Sequence, residues 1–327
     1  MPASESIPDD LSNRVIYARG LVRRFGKFTA VDNVDVDLGR GEVLGVLGAN
    51  GAGKTTTIRM LCGTLPLTSG HITVAGVDMV RHARHARGRI GFVSQRFTPY
   101  EDLQVMENLR LQAGLYGVTG KRRQQQIHWA LDHLGLAGHE KNMARDLPLG
   151  YRRRLALAAA LLHEPEVLFL DEPTSGVDPA ARQRFWELIY DLADSGIGIL
   201  VTTHYMDEAM FCDRIALMHA GRIIDQDTPA RLMQRPLKSP LLELHAPDCT
   251  ECVKILQQQP QVTDIVPHAG MLRIRLKPGS DVDLEQQAIR QLAQQHNVSI
   301  ERLQPAQPEL EDVFIATLEA EQEEAVL

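Results

Sequence analysis

Residues 48–55 read Gly48-Ala-Asn-Gly-Ala-Gly-Lys-Thr55, with a second threonine, Thr56, immediately behind. The stretch follows Glu42-Val-Leu-Gly-Val-Leu47, a short apolar run with the character of a buried strand. It precedes Thr57-Ile-Arg-Met-Leu-Cys62, which reads as a helix. Strand, glycine loop and helix form the setting in which the pattern G-x-x-x-x-G-K-[ST] acquires meaning. The glycines let backbone N–H groups turn inward around a phosphate, and the helix N-terminus adds its unpaired N–H groups and dipole. Lys54 contributes a point positive charge, and Thr55 offers a hydroxyl to Mg2+. The residues expected to line the phosphates are Gly48, Asn50, Gly51, Ala52, Gly53, Lys54, Thr55 and Thr56. The loop predicts a nucleoside triphosphate as ligand.

A length of 327 residues suggests two domains at about 150 residues each. Apolar residues make up 44% and charged residues 24%, the balance of an ordinary globular protein. A net charge of −7 argues against a generalised nucleic-acid binder, so no nucleic-acid partner is expected. Met1-Pro-Ala-Ser-Glu-Ser is acidic and lacks the apolar run of a signal peptide. The longest apolar stretch, Leu155 to Leu162, falls far short of the roughly 20 residues of a membrane span. Four cysteines, Cys62, Cys212, Cys249 and Cys252, are too few for a disulfide scaffold and point to a reducing compartment.

Residues 1–13 are polar, contain Pro2 and Pro8, and read as a disordered lead-in. Val15-Ile-Tyr-Ala and Val34-Asp-Val-Asp-Leu38 read as strands, the second alternating at period two, with a turn at Arg23-Arg-Phe25-Gly26. An aromatic shortly upstream of a phosphate loop is placed to stack on an adenine ring; packing within a hairpin explains Phe25 equally well. Gly70 to Gly76 reads as strand and turn. The Arg- and His-rich run Arg81 to Arg89 reads as a solvated connecting helix, and Ile90-Gly-Phe-Val-Ser-Gln95 as a short strand ending in glutamine. From 98 to 146 helical spacing takes over, at Met106 to Tyr116 and Gln124 to Leu136, which reads as a helical insertion in an α/β domain.

Val167-Leu-Phe-Leu-Asp171-Glu172 describes a central parallel strand with carboxylates at its C-terminal edge, where open α/β sheets bind ligands. Asp171 is placed to hold Mg2+ opposite the Thr55 hydroxyl, which leaves Glu172 as the candidate base for an attacking water. Gly196-Ile-Gly-Ile-Leu-Val-Thr-Thr-His204 is a further buried strand ending in histidine. Gln95, Asp171-Glu172 and His204 thus stand at three strand ends, an arrangement suited to sensing a γ-phosphate. Arg214 to Ile224 reads as a closing hairpin.

From about residue 14 to 230 the chain resembles the nucleotide-binding domain of ATP-binding cassette (ABC) transporters, motif by motif and in order. Gly48 to Thr56 resembles the Walker A loop, and Phe25 falls where the family carries its adenine-stacking aromatic. Gln95 matches the Q-loop glutamine, which in that family touches Mg2+ or water and senses the membrane partner. Asp171 and Glu172 match the Walker B aspartate and the catalytic glutamate. Ser175-Gly-Val-Asp178 resembles the D-loop, which puts Asp178 at the nucleotide site, and His204 resembles the switch histidine. The resemblance implies a P-loop NTPase fold of the ABC ATPase type, α/β with a helical subdomain at about 98–160 that docks on a permease. It also implies ATP and Mg2+ as cofactors and Glu172, His204 and Lys54 as catalytic residues. Thr55, Gln95 and Asp171 would hold the metal.

The family signature Leu-Ser-Gly-Gly-Gln is replaced here by Leu147-Pro148-Leu149-Gly150-Tyr151. Pro148 has neither a hydroxyl nor an N–H, and Leu149 brings a side chain where close backbone approach is needed. Gly150 and the following helix N-terminus remain available to a phosphate held by the opposite subunit. The expectation is an ATP sandwich with altered contacts; the competing reading is a degenerate site that hydrolyses weakly, against which the intact Glu172 and His204 stand.

Residues 238–327 read as strand 241–246, helix 249–258, strands 262–267 and 271–276, helix 282–296 and strand 298–303. This β-α-β-β-α-β order is that of an α+β ferredoxin-like domain. A last helix from Glu309 to Ala320 and an acidic tail follow. Similar extensions occur in the ABC subgroup that serves separate drug, polysaccharide or lipid exporters, and Pro308-Glu-Leu-Glu-Asp-Val-Phe314 resembles that subgroup's ending. Cys249-Thr-Glu-Cys252 has soft-metal spacing but supplies only two ligands, and packed thiols account for it better.

The organisation expected is a lead-in at 1–13, an ATPase domain at 14–236 and an accessory domain at 238–327. The function expected is an ATP-binding and ATP-hydrolysing subunit that powers a separate multi-span permease, an exporter of a drug-like, lipid or polysaccharide substrate. It would pair with a second ATPase subunit, as homo- or heterodimer, at the cytoplasmic face of the inner or plasma membrane. The alternative is a soluble ABC ATPase with a regulatory or non-transport role, against which stand the single cassette, the absence of heptads and the presence of Glu172.

Overall fold

A computed structural model describes residues 13–95, 99–268 and 270–326, with side chains described to Glu321. The expected lead-in, apart from Asn13, and the end of the acidic tail lie outside the described residues. The chain forms two compact units that divide between Pro229 and Ala230. The motif and element order put the boundary at 236–238; in the segment between the two positions Leu232 is fully buried.

The first unit runs, in order, β1 (Arg14–Phe25), β2 (Phe28–Gly39), β3 (Val43–Leu47), α1 (Lys54–Leu61), β4 (Ser69–Val74), β5 (Val77–Asp78), α2 (Met79–Arg87) and β6 (Ile90–Val93). It continues with α3 (Val105–Leu115), α4 (Gly120–His133), α5 (Leu149–Leu161), β7 (Val167–Asp171), α6 (Pro179–Asp194), β8 (Gly198–Thr203), α7 (Met206–Ala209), β9 (Arg214–His219) and β10 (Arg222–Asp227). The short helix α8 (Pro229–Met233) spans the division.

Two sheets build this unit. One is antiparallel, in the order β2-β1-β4-β5; the other runs β10-β9-β3-β8-β7-β6 and is parallel except for β10. All residues of β3, β7 and β8 are buried. That explains their near-continuous apolar sequences, since a central parallel strand is covered on both faces. Ile16, Leu38 and Ile72 of the first sheet join Leu44, Val46 and Phe169 of the second, with Ile58 and Leu61 of α1, in one core. Each such side chain contributes roughly 1.5–3 kcal/mol by leaving water.

The turn expected at 23–26 is tighter than the sequence suggested. Strand β1 extends through Phe25, which pairs with Phe28 across Gly26-Lys27, and Gly26 supplies the positive φ of 58° that the reversal needs. The helical insertion consists of α3, α4 and the start of α5, close to the expected spans.

The second unit contains β11 (Leu241–His245), α9 (Cys249–Leu256), β12 (Val262–His268), β13 (Met271–Leu276), α10 (Val282–Gln295), β14 (Arg302–Pro305) and α11 (Leu310–Val326). Its sheet is antiparallel in the order β12-β13-β11-β14. The last strand lies later than the 298–303 that alternation suggested. Val298 and Ile300 do turn inward, but as chain leaving α10 and packing on the core. The pairing with β11 begins only at Arg302, opposite His245. Asp312 anchors α11 to the sheet through Arg273 and, at 3.3 Å, Arg275.

Cys252 is buried and Cys249 partly so, its Sγ 3.5 Å from the Ala246 carbonyl. Burial, reinforced by Cys249, pushes the Cys252 thiol above its ordinary value, so it rests protonated. Among the described residues no group of three or more His, Cys, Asp or Glu is arranged to hold a metal. Among them, too, no helix is long and apolar enough to cross a membrane.

Candidate functional site

The sheet order places β6, β7, β8 and β3 side by side, so that Gln95, Asp171-Glu172, His204 and the glycine loop emerge along one edge. The loop wraps tightly against β9 and β2. A Cβ on Gly48 would lie 2.3 Å from the Met218 carbonyl oxygen. One on Gly53, whose φ is 112°, would lie 2.8 Å from that of Ala30. Only glycine is compatible with such approaches. Helix α1 starts directly at Lys54, and the N–H groups of its first turn have no acceptor within the helix. The curvature and these donors fit a polyphosphate.

Lys54 is buried at 4% exposure. Its ammonium donates to the carbonyls of Gly48 at 2.8 Å and Ala49 at 3.2 Å, and lies 3.4 Å from Glu172 Oε1. Beside it, the Thr55 hydroxyl donates to Asp171 Oδ1 at 3.1 Å. A hydroxyl and a carboxylate adjoining a phosphate cradle are hard oxygen ligands of the kind Mg2+ takes. Asp171 is 2% exposed, and its Oδ1 also accepts from Thr202 Oγ1 at 2.7 Å.

Glu172 is the hub. Its Oε2 accepts from Gln95 Nε2 at 2.9 Å and lies 3.2 Å from His204 Nδ1. Its backbone N–H is held by the carbonyl and the hydroxyl of Thr202, each at 3.1 Å. Those bonds keep Glu172 at a φ of 48°, a conformation that costs a non-glycine residue on the order of 1–2 kcal/mol. The strand thus ends in a turn that throws the carboxylate across the sheet edge toward Lys54 and Gln95. A 7%-exposed carboxylate with one cation, one amide and one imidazole around it can accept a proton from a water at the loop mouth.

Phe25, Asp178 and Gly150 stand apart from this hub, whereas Gln95 belongs to it. Gln95 reaches Glu172 and not the Thr55–Asp171 pair. Phe25 is 46% exposed at the hairpin tip, with the Arg23 guanidinium over its ring at 4.4 Å. Asp178 caps α6, its carboxylate accepting from Ala181 N at 2.9 Å. Gly150 sits in the first turn of α5, where a Cβ would meet that of Ala181 at 3.3 Å. Gly150 and Asp178 are therefore neighbours on a second surface. Pro148 occupies the N-cap of α5 without any side-chain cap, and Leu149 is 40% exposed.

Several residues escaped the sequence reading. Thr202 binds both Asp171 and Glu172, and its signal was present in Val201-Thr-Thr-His204, two positions before the histidine. Phe28 adds a second exposed ring opposite Phe25. Glu208, 1% exposed, takes hydrogen bonds from Thr174 and, at 2.8 Å, from Thr203, with Arg182 Nε 3.2 Å away. It buttresses the loop after Glu172 and the strand end before His204. Arg153, 7% exposed, donates to the Gln95 carbonyl at 2.8 Å.

The sequence profile of the ABC transporter family matches residues 31–175. The chain is 46% identical over 215 residues to the probable multidrug ABC transporter ATP-binding protein YbhF of Escherichia coli K12. That match covers 66% of this chain but only 37% of YbhF, so the chain spans little more than a third of that relative's length. It is 32% identical to the linearmycin resistance ATP-binding protein LnrL of Bacillus subtilis 168, over 92% of this chain and 97% of LnrL. Among solved structures it is similar to an ATP-binding subunit of an ABC transporter. That likeness has a TM-score of 0.62 and 26% identity, covering 67% of this chain and 92% of that one.

Proposed function

The chain belongs to the ABC transporter family as an ATP-binding subunit, and from that premise we propose that it hydrolyses ATP to drive a separate multi-span permease that exports a drug-like, lipid or polysaccharide substrate. The observation that carries the hydrolytic reading is the convergence of Lys54, Gln95 and His204 on Glu172 beside the Thr55–Asp171 pair. Glu172 accepts the proton of the attacking water, and Gln95 fixes the direction of its carboxylate. Lys54, held at the loop mouth by two carbonyls, offsets charge that builds on the γ-phosphate oxygens, and His204 offers a second donor from the neighbouring strand. Thr55 and Asp171 would hold Mg2+, which would supply neutralising charge beside the phosphates. Phe25, with Phe28 beside it, stacks on the adenine.

Two copies, or this chain and a related one, pair so that Leu147 to Tyr151 and Asp178 of each face the nucleotide of the other. Pro148 removes a hydroxyl donor from that surface, which leaves the first-turn N–H groups of α5 as the phosphate contacts. The helical subdomain then transmits closure to the permease, which holds the chain at the cytoplasmic face of the membrane. We read the second unit as a ferredoxin-like accessory domain, supported by its strand order. The export reading rests on relatives named for multidrug and linearmycin resistance.

Glu172→Gln is the test. Turnover is expected to fall by about two to four orders of magnitude, while ATP still drives dimerisation. Unchanged turnover together with unchanged dimerisation would refute the assignment. Co-purification of a multi-span permease with the tagged chain checks the transport reading.

A further inference from the structure

Arg153 is a charged side chain set almost wholly out of water, and among the described residues no carboxylate lies within ion-pair distance of it. Its guanidinium is spent on three backbone carbonyls instead. Nη1 donates to Gln95 O at 2.8 Å and reaches Ser94 O at 3.5 Å, and Nη2 reaches Ser175 O at 3.5 Å. Burial pushes its ionisation below the ordinary guanidinium value, although an arginine stays charged in any case. A buried cation with no counter-ion is costly to keep, which makes the choice of these three acceptors informative.

The acceptors are the two loops that flank Glu172. Gln95 holds the Glu172 carboxylate through its side-chain amide at 2.9 Å while giving its carbonyl to Arg153. Ser175 bonds back to Glu172 through its own N–H, 3.3 Å from the Glu172 carbonyl, and gives its carbonyl to Arg153. The contacts close a ring, Glu172 to Gln95 to Arg153 to Ser175 to Glu172. Arg153 itself lies one helical turn beyond Leu149 and Gly150, on the helix whose first turn forms the second surface. Leu149 also packs beside Gly176, 3.6 Å from where a Cβ there would stand.

We infer that Arg153 is a positioning residue for hydrolysis: it ties α5 to both loops beside Glu172, so that engagement of the N-terminal turn of α5 by a partner's nucleotide sets the Glu172 carboxylate of this subunit. The inference rests on the hydrolytic reading above. It assigns Arg153 no contact with ATP, which distinguishes it from Lys54 and predicts separate effects on binding and turnover.

The experiment compares the full-length parent with Arg153→Met, Arg153→Lys and Glu172→Gln. The affinity of a fluorescent ATP analogue, kcat, the Hill coefficient for ATP and the melting temperature are measured for each. Arg153→Met keeps the length of the stem and removes the fork. Its Kd for the analogue is expected within about twofold of the parent, with kcat down about ten- to a hundredfold, the range that misplaced catalytic groups cost, and a Hill coefficient near 1. Arg153→Lys reaches one loop and not both, so its kcat is expected between the two. A folded Arg153→Met with parent-like kcat and Hill coefficient overturns the inference, as does affinity falling in step with kcat. If Arg153→Met does not fold, Arg153→Lys decides alone, because parent-level turnover there shows that bridging two loops is unnecessary. Failure of the hydrolytic reading is seen separately, as equal turnover in the parent and Glu172→Gln.

Discussion

Replacing Thr202 by valine removes one hydroxyl from β8 and keeps the β-branched shape that a central strand prefers. The hydroxyl makes two bonds, donating to Asp171 Oδ1 at 2.7 Å and accepting from Glu172 N at 3.1 Å. The second loss is cushioned, because the same N–H also reaches the Thr202 carbonyl at 3.1 Å. The first is not, since Asp171 is 2% exposed and, among the described residues, keeps only the Thr55 hydroxyl as a side-chain donor, at 3.1 Å. A hydrogen bond to a buried charge is worth about 1.5–3 kcal/mol, so Thr202→Val should destabilise the first unit by about 2 kcal/mol. For a unit of this size each kcal/mol moves Tm by about 2–4 °C, giving an expected drop of about 4–8 °C in nucleotide-free protein by circular dichroism. Functionally, a carboxylate freed on one side holds a metal less well, and loss of such an orienting contact costs about 10–100-fold in metal affinity. The Mg2+ concentration for half-maximal turnover should therefore rise at least about tenfold. A Tm within about 1 °C of the parent, with unchanged Mg2+ dependence, would show that Thr202 does not hold Asp171.

Two further outcomes follow from the aromatic tip and from a buried histidine. Phe25→Ala should weaken ATP binding by about 1–3 kcal/mol, the contribution of a base stacked on an aromatic ring, yet leave competition by tripolyphosphate unaltered; equal losses for both ligands would remove adenine from the hairpin. His163 stacks on Tyr116 at 3.8 Å and bonds the Ile90 carbonyl at 2.9 Å, and burial, aided by Arg122, pulls its pKa below the ordinary value despite that bond. The unfolded chain then takes up the proton first as pH falls. The stability tied to the neutral ring is complete above the unfolded value of about 6.5 and is lost as pH falls from there through the lower folded value. His163→Gln should melt lower at neutral pH but lose less Tm between about pH 7.5 and 5.5, and an unchanged loss would exclude His163 as its source.

The elements legible in sequence are those set by local chain chemistry. Gly48 to Thr56 must bend where only glycine fits, and Val167 to Leu170 must be buried on both faces because nothing polar interrupts it. Where a local pattern suits two structures, it misleads. Val298-Ser-Ile300 alternates like a strand, yet it packs on the core of the second unit before β14 begins at Arg302. A strand needs a neighbour to bond to, and that neighbour, β11, comes within reach only further along. Arg152, Arg153 and Arg154 likewise look the same in sequence, as a basic helix start, and of the three Arg153 is the buried one.

A phosphate loop, a strand ending in two carboxylates, and strand ends bearing Gln95 and His204 can all be read from the chain unaided, because each is a short stretch whose spacing and residue types suffice. Folding added their adjacency: β6, β7, β8 and β3 lie side by side, which turns those separate ends into contacts of about 3 Å around Glu172. It also added the bracing of both carboxylates by Thr202 and the joining of the flanking loops by Arg153. Such contacts link residues far apart in the chain, Gln95 and Glu172 by 77 positions and Thr55 and Asp171 by 116. They depend on how strands order and helices pack, which no local pattern encodes.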